Sequence, residues 1–210
     1  MSEMQEVSSV NNEGSLSKIT DTIRKEFFRK SIHMMSAFVP LVYFFSRPFV
    51  LLGLLSVTLF YFLCEVSRYR GHRIPIIAEI TELASRSRDE GKIVLGPITL
   101  AIGIFICLTL FDFQIATLAI FSVSFGDGVA SLFGKIIGGP KIPLTFGKTF
   151  SGSTGCFLVL CFVYFLCGLT KQQVLLLAFC AAFIEAMPTG DLDNLILPVS
   201  VGMILKYFVV

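Results

Sequence analysis

A chain of 210 residues that is 54% hydrophobic and only 15% charged, with a mean hydropathy of +0.80, is not an ordinary soluble domain, where about a quarter of residues carry charge. Its length suits one domain of about six or seven membrane spans, and its 22 Phe and absence of Trp fit lipid-facing and bundle-core helices. The net charge of +2 decides little; the distribution of charge along the chain matters more.

Residues 1–24 are polar and rich in Ser, Asn and Glu, with no apolar h-region, which predicts a disordered tail rather than a secretory signal. Residues 25–210 read as a single membrane-embedded, all-α domain. Apolar runs place spans near Ser31–Ser46, Phe49–Glu65, Ile93–Leu110, Phe113–Ile137, Gly152–Leu169, Gln173–Pro188 and Leu195–Val210. The first and sixth are the weakest and also admit an interfacial or re-entrant helix. Cys64, Cys107, Cys156, Cys161, Cys167 and Cys180 lie in or beside apolar runs with no CxxC spacing, so they read as small buried apolar residues.

Glu26, Arg29, Lys30 and His33 lead into the first span. Arg29 and His33 are i, i+4 and share a helix face. For Lys25 and Lys30 the better reading is topological anchoring by basic residues; His33, inside a span, stands level between a site role and a structural one. Glu65 and Arg68 close the second span at i, i+3, as a helix-end ion pair or as part of a polar pocket. The loop 66–92 contains IPIIAEITELASRSR, where Ile76, Ile77, Ile80 and Leu83 recur at helical spacing and predict an amphipathic helix at the interface or on the bundle.

Asp127 interrupts the fourth span within FGDGVASLFGK. Small residues there allow close helix packing, which accounts for the glycines but not for a carboxylate at membrane depth. Asp127 and Ser131 lie one turn apart with Gly134 beyond, predicting a smooth groove toward Lys135. An Asp in that place suits a Mg²⁺ ion bridging nucleotide phosphates. The following loop, 135–152, leads into FGKTFSGSTG, where Lys148 and the amides around Gly152, Ser153 and Thr154 predict an anion site at a helix N-terminus. It is not a P-loop, because the position that must be Gly is Ile142 and no strand precedes it. Finally, FIEAMPTGDLDNLILP brings Glu185, Asp191, Asp193 and Asn194 together; Asp193 or Asn194 can cap the last span, which explains one of these acids and not three.

The basic residues sort by side. Fourteen of the seventeen Lys and Arg fall in the tail, the loop after span two and the loop after span four, which predicts that these face the cytoplasm.

In order, E-x2-RK-x2-H (Glu26, Arg29, Lys30, His33), E-x2-R (Glu65, Arg68), GD-x2-A-x3-GK (Gly126, Asp127, Ala130, Gly134, Lys135), GKT-x2-GS (Gly147, Lys148, Thr149, Gly152, Ser153) and E…D-x-DN (Glu185, Asp191, Asp193, Asn194) resemble the CTP-dependent lipid-alcohol kinases: dolichol, phytol and farnesol kinases and the CTP-using diacylglycerol kinase. The resemblance spans most of the chain from Glu26 onward. It implies transfer of the γ-phosphoryl of CTP, with Mg²⁺, to the hydroxyl of a membrane lipid alcohol at a cytoplasm-facing site in a bacterial inner membrane or an ER-type membrane. It implies that Asp127 and one of Asp191 or Asp193, with Asn194, hold the metal. Lys135, Lys148, Gly147, Thr149, Gly152, Ser153, Arg29 and His33 form the nucleotide-binding set, and Glu185 or Asp193 orients the attacking hydroxyl. Many relatives carry Glu where this chain has Ser151, so one possible metal ligand is absent. The phosphatidate cytidylyltransferases are similar around Asp127 to Ser153, but their C-terminal Lys-Asp and His-Gly-Gly-x-x-Asp-Arg signatures are missing here. A small transporter with broken helices is a further alternative, though no internal repeat supports it. No nucleic-acid partner is expected, and self-association is left open.

Overall fold

The computed structural model describes residue 20, residues 23–72, residues 75, 79, 81 and 85, and residues 91–145 and 147–209. Apart from residues 20, 23 and 24, which are helical, the expected tail lies outside the described residues, as does nearly all of the expected amphipathic helix of the loop 66–92. Within them the regular structure is helical, and the extended pairing is a single bridge between Lys141 and Thr149.

Residues 23–35 form α1, which runs through a 3-10 turn at Ser36–Phe38 into α2 (Val39–Phe45). Pro40 is accommodated because it sits in the first turn, where a missing N–H leaves no bond unmade. Ser46 is extended (φ −153°) and breaks the path, and Pro48 lies in the first turn of α3 (Arg47–Tyr69). Only 17% of α3's apolar stretch is buried, so it lies at the edge of the bundle, packed on α2 and on α4 (Gly96–Leu110).

The central element is α5 (Phe113–Phe121), which continues through a π-helical stretch, Ser122–Asp127, into α6 (Gly128–Ile136). Across Phe113–Ile136, 67% is buried, and Ala116, Ala119, Ile120 and Val123 are sealed in the core. A tight loop leads to α7 (Phe150–Leu166) and then α8 (Lys171–Ala186), whose start is a capping box of Thr170 and Gln173. Gly190–Leu192 makes a 3-10 turn before α9 (Asp193–Ile204), which ends in a π turn, Leu205–Val209. Leu160, Tyr164, Leu177, Ala178, Leu197 and Val201 from α7, α8 and α9 close around the central helix.

All seven apolar runs read from the sequence are helical. Among the described residues three helical stretches are long and apolar enough to cross a membrane: Arg47–Tyr69, Phe113–Ile136 and Gly190–Val209. At 1.5 Å per residue the 15-residue α4 reaches only about 22 Å.

Two glycines set the helix spacing. A Cβ on Gly103 of α4 would lie 2.6 Å from the Asn194 carbonyl oxygen of α9, and one on Gly152 of α7 would lie 2.7 Å from the Ala130 carbonyl of α6. Backbone atoms cannot step aside as a flexible side chain would. Gly103→Ala is therefore expected to destabilise the bundle by about 1–3 kcal/mol, read as a lowered unfolding midpoint in detergent, whereas Gly53→Ala, which meets nothing within 4 Å, should not lower it.

Candidate functional site

On α1, Glu26, Lys30 and His33 recur at helical spacing and are 2%, 2% and 7% exposed. They face a second stripe, Asp127, Ser131 and Lys135, carried by the central helix. The two stripes interlock. Lys30 forms an ion pair with the Asp127 carboxylate, and His33 Nε2 lies 3.3 Å from Asp127 Oδ2 and 3.0 Å from the Val123 carbonyl oxygen. A carbonyl only accepts, so Nε2 carries the proton. Glu26 accepts from Arg29, Ser131 and Lys135. Ser36 Oγ donates to the His33 carbonyl and sits 2.6 Å from Ser124 Oγ. Gly128 permits the approach, since a Cβ there would lie 2.9 Å from Met34 Cγ.

The groove expected from Asp127 toward Lys135 is thus filled by α1. Its docking is coupled to the π-helical stretch, whose wider turn re-registers the backbone where Val123, Ser124 and Asp127 meet α1. Burial alone would raise the Glu26 carboxyl, which lies ahead of the first apolar run; Arg29, the hydrogen bonds from Lys135 and Ser131, and Lys30 outweigh it and hold the group below its ordinary value.

The second half of the cluster comes from the loop between α6 and α7. This loop folds back on itself, with the Ile142 N–H donating to the Lys148 carbonyl at 2.8 Å and the Phe150 N–H to the Pro140 carbonyl at 3.2 Å. Gly147 turns it at φ +85°, a conformation that favours glycine. Lys148 is thereby directed to the end of α8, where its ammonium donates to the Glu185 carbonyl and lies 3.0 Å from Glu185 Oε1. Glu185 is 5% exposed and experiences the charges of Lys148, Asp127 and Lys30, so the two halves form one electrostatic cluster.

The amide site expected at Gly152 and Ser153 takes a different form. Thr149 caps α7, accepting the Gly152 N–H at 3.2 Å on its hydroxyl and the Ser153 N–H at 3.1 Å on its carbonyl, so both amides are engaged within the helix start. Ser151 donates to the Gly138 carbonyl and lies 3.0 Å from Thr149 Oγ1, closing the loop on the cap. The Ser153 hydroxyl is buried without a hydrogen-bond partner among the described residues.

Asp191, Asp193 and Asn194 are anchored to the start of α4. Thr99 Oγ1 donates to the Asp191 carbonyl at 2.8 Å, Asn194 Nδ2 donates to the Gly96 carbonyl at 3.1 Å, and Asp193 Oδ1 accepts the Asn194 N–H at 2.9 Å. The cap position of α9 is Leu192, one residue before Asp193 and two before Asn194, because the 3-10 turn brings the chain directly into the helix. Asn194 Oδ1 is buried and has no hydrogen-bond partner among the described residues. Glu65 is 1% exposed and accepts from Arg68, at 2.5 and 2.9 Å, and from the Val94 N–H at 2.8 Å. It is a helix-end ion pair that also pins the return of the chain into α4.

Lys30 is the residue whose place the sequence concealed: it is a buried partner of Asp127, not a surface anchor. The available signal was its spacing from Glu26 and His33, which puts all three on one face. Among the described residues no group of three or more His, Cys, Asp or Glu is gathered as a metal cage. A Mg²⁺ ion needs less, since it is commonly held by one or two carboxylates plus substrate phosphates. Asp127 fits that donor set, with α9, which begins at Asp193, packed against the same π-helical stretch.

No protein-family model matches the chain, and no solved structure matches it. Over 193 residues it is 31% identical to an uncharacterized protein, MJ1137, of Methanocaldococcus jannaschii, a match covering 87% of this chain and 94% of that protein. The chain belongs to the same family as this archaeal protein.

Proposed function

We propose that this chain is a multi-pass membrane kinase that transfers the γ-phosphoryl group of CTP to the hydroxyl of a lipid alcohol at the cytoplasmic face. The observation that carries this reading is the set of three lysine–carboxylate pairs, Lys30–Asp127, Lys135–Glu26 and Lys148–Glu185, within a bundle of apolar helices. Lys30–Asp127 is buried on both sides, and in the other two pairs the carboxylates are buried while the lysines reach the surface. A buried pair contributes little to stability against an apolar replacement, so their presence favours a role with charged ligands. Four of the five motifs resembling the lipid-alcohol kinases supply the residues of these pairs.

Phosphoryl transfer asks mostly for positioning and charge neutralisation. Lys148 and Lys135 provide point charges for the phosphates, from the loop before α7 and the end of α6. Arg29, at the edge of the cluster, adds a fork-shaped donor, and Glu185 is placed to orient the acceptor hydroxyl. Asp127, with Asp193, would hold a Mg²⁺ ion, which when bound neutralises charge on the phosphates. The basic distribution along the chain supports a cytoplasmic orientation for this end of the bundle, and an alcohol in the bilayer would reach it sideways between helices.

Membranes containing the protein, given CTP labelled separately at the γ-phosphate and at the base together with extracted lipids, test the reading. The expected product is a lipid monophosphate carrying the γ label and no cytidine. Pyrophosphate release with cytidine retained in the lipid would overturn it in favour of cytidylyl transfer.

A further inference from the structure

Asp127 needs a cation in the protein without ligands, and the fold brings the Lys30 ammonium to it. The pair is buried from both sides, at 2% and 5% side-chain exposure, and links positions 97 apart in sequence. It is not the sole tie between the central helix and α1. That helix is already held by Glu26 on Ser131 and Lys135, by His33 on the Val123 carbonyl and by Ser36 on Ser124. A lysine ammonium is a compact charge on a flexible four-carbon stem, so it can leave one oxygen partner for another without moving the helix that carries it. The neighbouring Lys148 and Lys135 are each matched to a carboxylate as well, so each of the three lysines of the cluster has an acidic partner.

We propose that Lys30 is a positioning residue that acts as the built-in counter-ion of Asp127: it competes with a divalent cation for this carboxylate and is released toward the phosphates of the nucleotide when the cation binds. This rests on the reading of Asp127 as a metal ligand. A divalent cation alone must displace Lys30 and leave its charge buried without a partner, so it binds weakly. Nucleotide phosphates give the displaced ammonium a new partner, so cation and nucleotide bind with positive coupling, and by linkage each tightens the other by the same factor.

Mn²⁺ alone, titrated into the nucleotide-free full-length protein and followed by electron paramagnetic resonance, tests the inference. Lys30→Met and Lys30→Gln are each expected to bind Mn²⁺ about tenfold more tightly than the wild type, and Lys30→Met/Asp127→Asn should lose that gain. Thermal unfolding checks that each variant is folded. Unchanged or weaker Mn²⁺ binding in folded Lys30 variants would overturn the inference. The wild type gives a test that does not depend on any variant: CTP should tighten Mn²⁺ binding, and Mn²⁺ should tighten CTP binding, by equal factors; absence of coupling overturns it. The outcomes separate this inference from the kinase reading. Tighter Mn²⁺ binding without any lipid phosphorylation keeps the counter-ion and sinks the kinase, whereas phosphorylation with no change in Mn²⁺ binding does the reverse.

Discussion

Asp127→Leu is expected to destabilise the bundle by about 3–5 kcal/mol, because it leaves the Lys30 ammonium buried without its partner. Lys30→Met/Asp127→Leu should recover most of that loss. The second substitution removes the stranded charge, and apolar side chains replacing a buried ion pair are commonly neutral or stabilising. Phosphoryl transfer should be absent from both variants. This separation matters because a purely architectural pair would give the opposite pattern: the double variant, once stable, would be active. Unfolding midpoints in detergent and label transfer from CTP, measured on the same preparations, decide between the two. His33 is the internal control. It also faces Asp127, at 3.3 Å, but its Nε2–H already donates to the Val123 carbonyl, so the double variant leaves it with a partner.

Lys148→Ala is expected to lower the rate of phosphoryl transfer by about 10²–10³-fold, the range seen when one preorganised donor to developing charge is removed. The accompanying loss of stability should be smaller than for Asp127→Leu. The Lys148 side chain is 20% exposed, so water can reach the Glu185 carboxylate left behind, whereas the Lys30 site is closed at 2%. Lys148→Arg should not restore the rate. The compact ammonium reaches both the carbonyl and the carboxylate of Glu185, and a planar guanidinium on a longer stem does not reproduce that placement. Steady-state rates with CTP as the varied substrate check this, and full activity in Lys148→Ala would remove the residue from the site.

Much of the architecture was legible because apolar run length is a strong signal. Each of the seven runs became a helix, and breaks at Ser46, Pro188 and Gly190 fell where extended backbone, proline and glycine interrupt helical bonding. The stripe Asp127, Ser131, Lys135 is legible from helical periodicity; the stripe Glu26, Lys30, His33 is legible in the same way, but the i, i+4 reading joins Arg29 to His33 instead. The pairing of the two stripes was not legible, because it joins positions 94 to 109 apart and depends on how α1 meets the central helix. For that reason Lys30 read as an anchor at the membrane boundary. The amides of Gly152 and Ser153 looked available because a helix N-terminus generally offers them; the Thr149 cap that occupies them depends on where the helix starts. The π-helical stretch is likewise a tertiary outcome, set where Gly128 admits Met34 and Val123 turns its carbonyl to His33.

The glycines around Asp127 acquire a physical explanation that needs no ligand. A Cβ on Gly134 would meet Thr149 Oγ1 at 2.9 Å, one on Gly126 would meet Leu160 Cδ1 at 3.0 Å, and one on Gly155 would meet Phe133 at 2.9 Å. They bring the central helix and α7 into close contact, as small residues do in membrane bundles. The charged residues carry the functional argument, and within them the Lys30–Asp127 and Lys148–Glu185 pairs carry most of it.

The most direct measurement uses the purified protein in lipid nanodiscs with CTP labelled at the γ-phosphate and, one at a time, farnesol, a dolichol and a diacylglycerol. The account predicts labelled monophosphate of at least one of these alcohols in the wild type, dependent on a divalent cation and absent from Asp127→Asn. Equal labelling in the two proteins, or no labelling of any alcohol by a folded wild type, would contradict it.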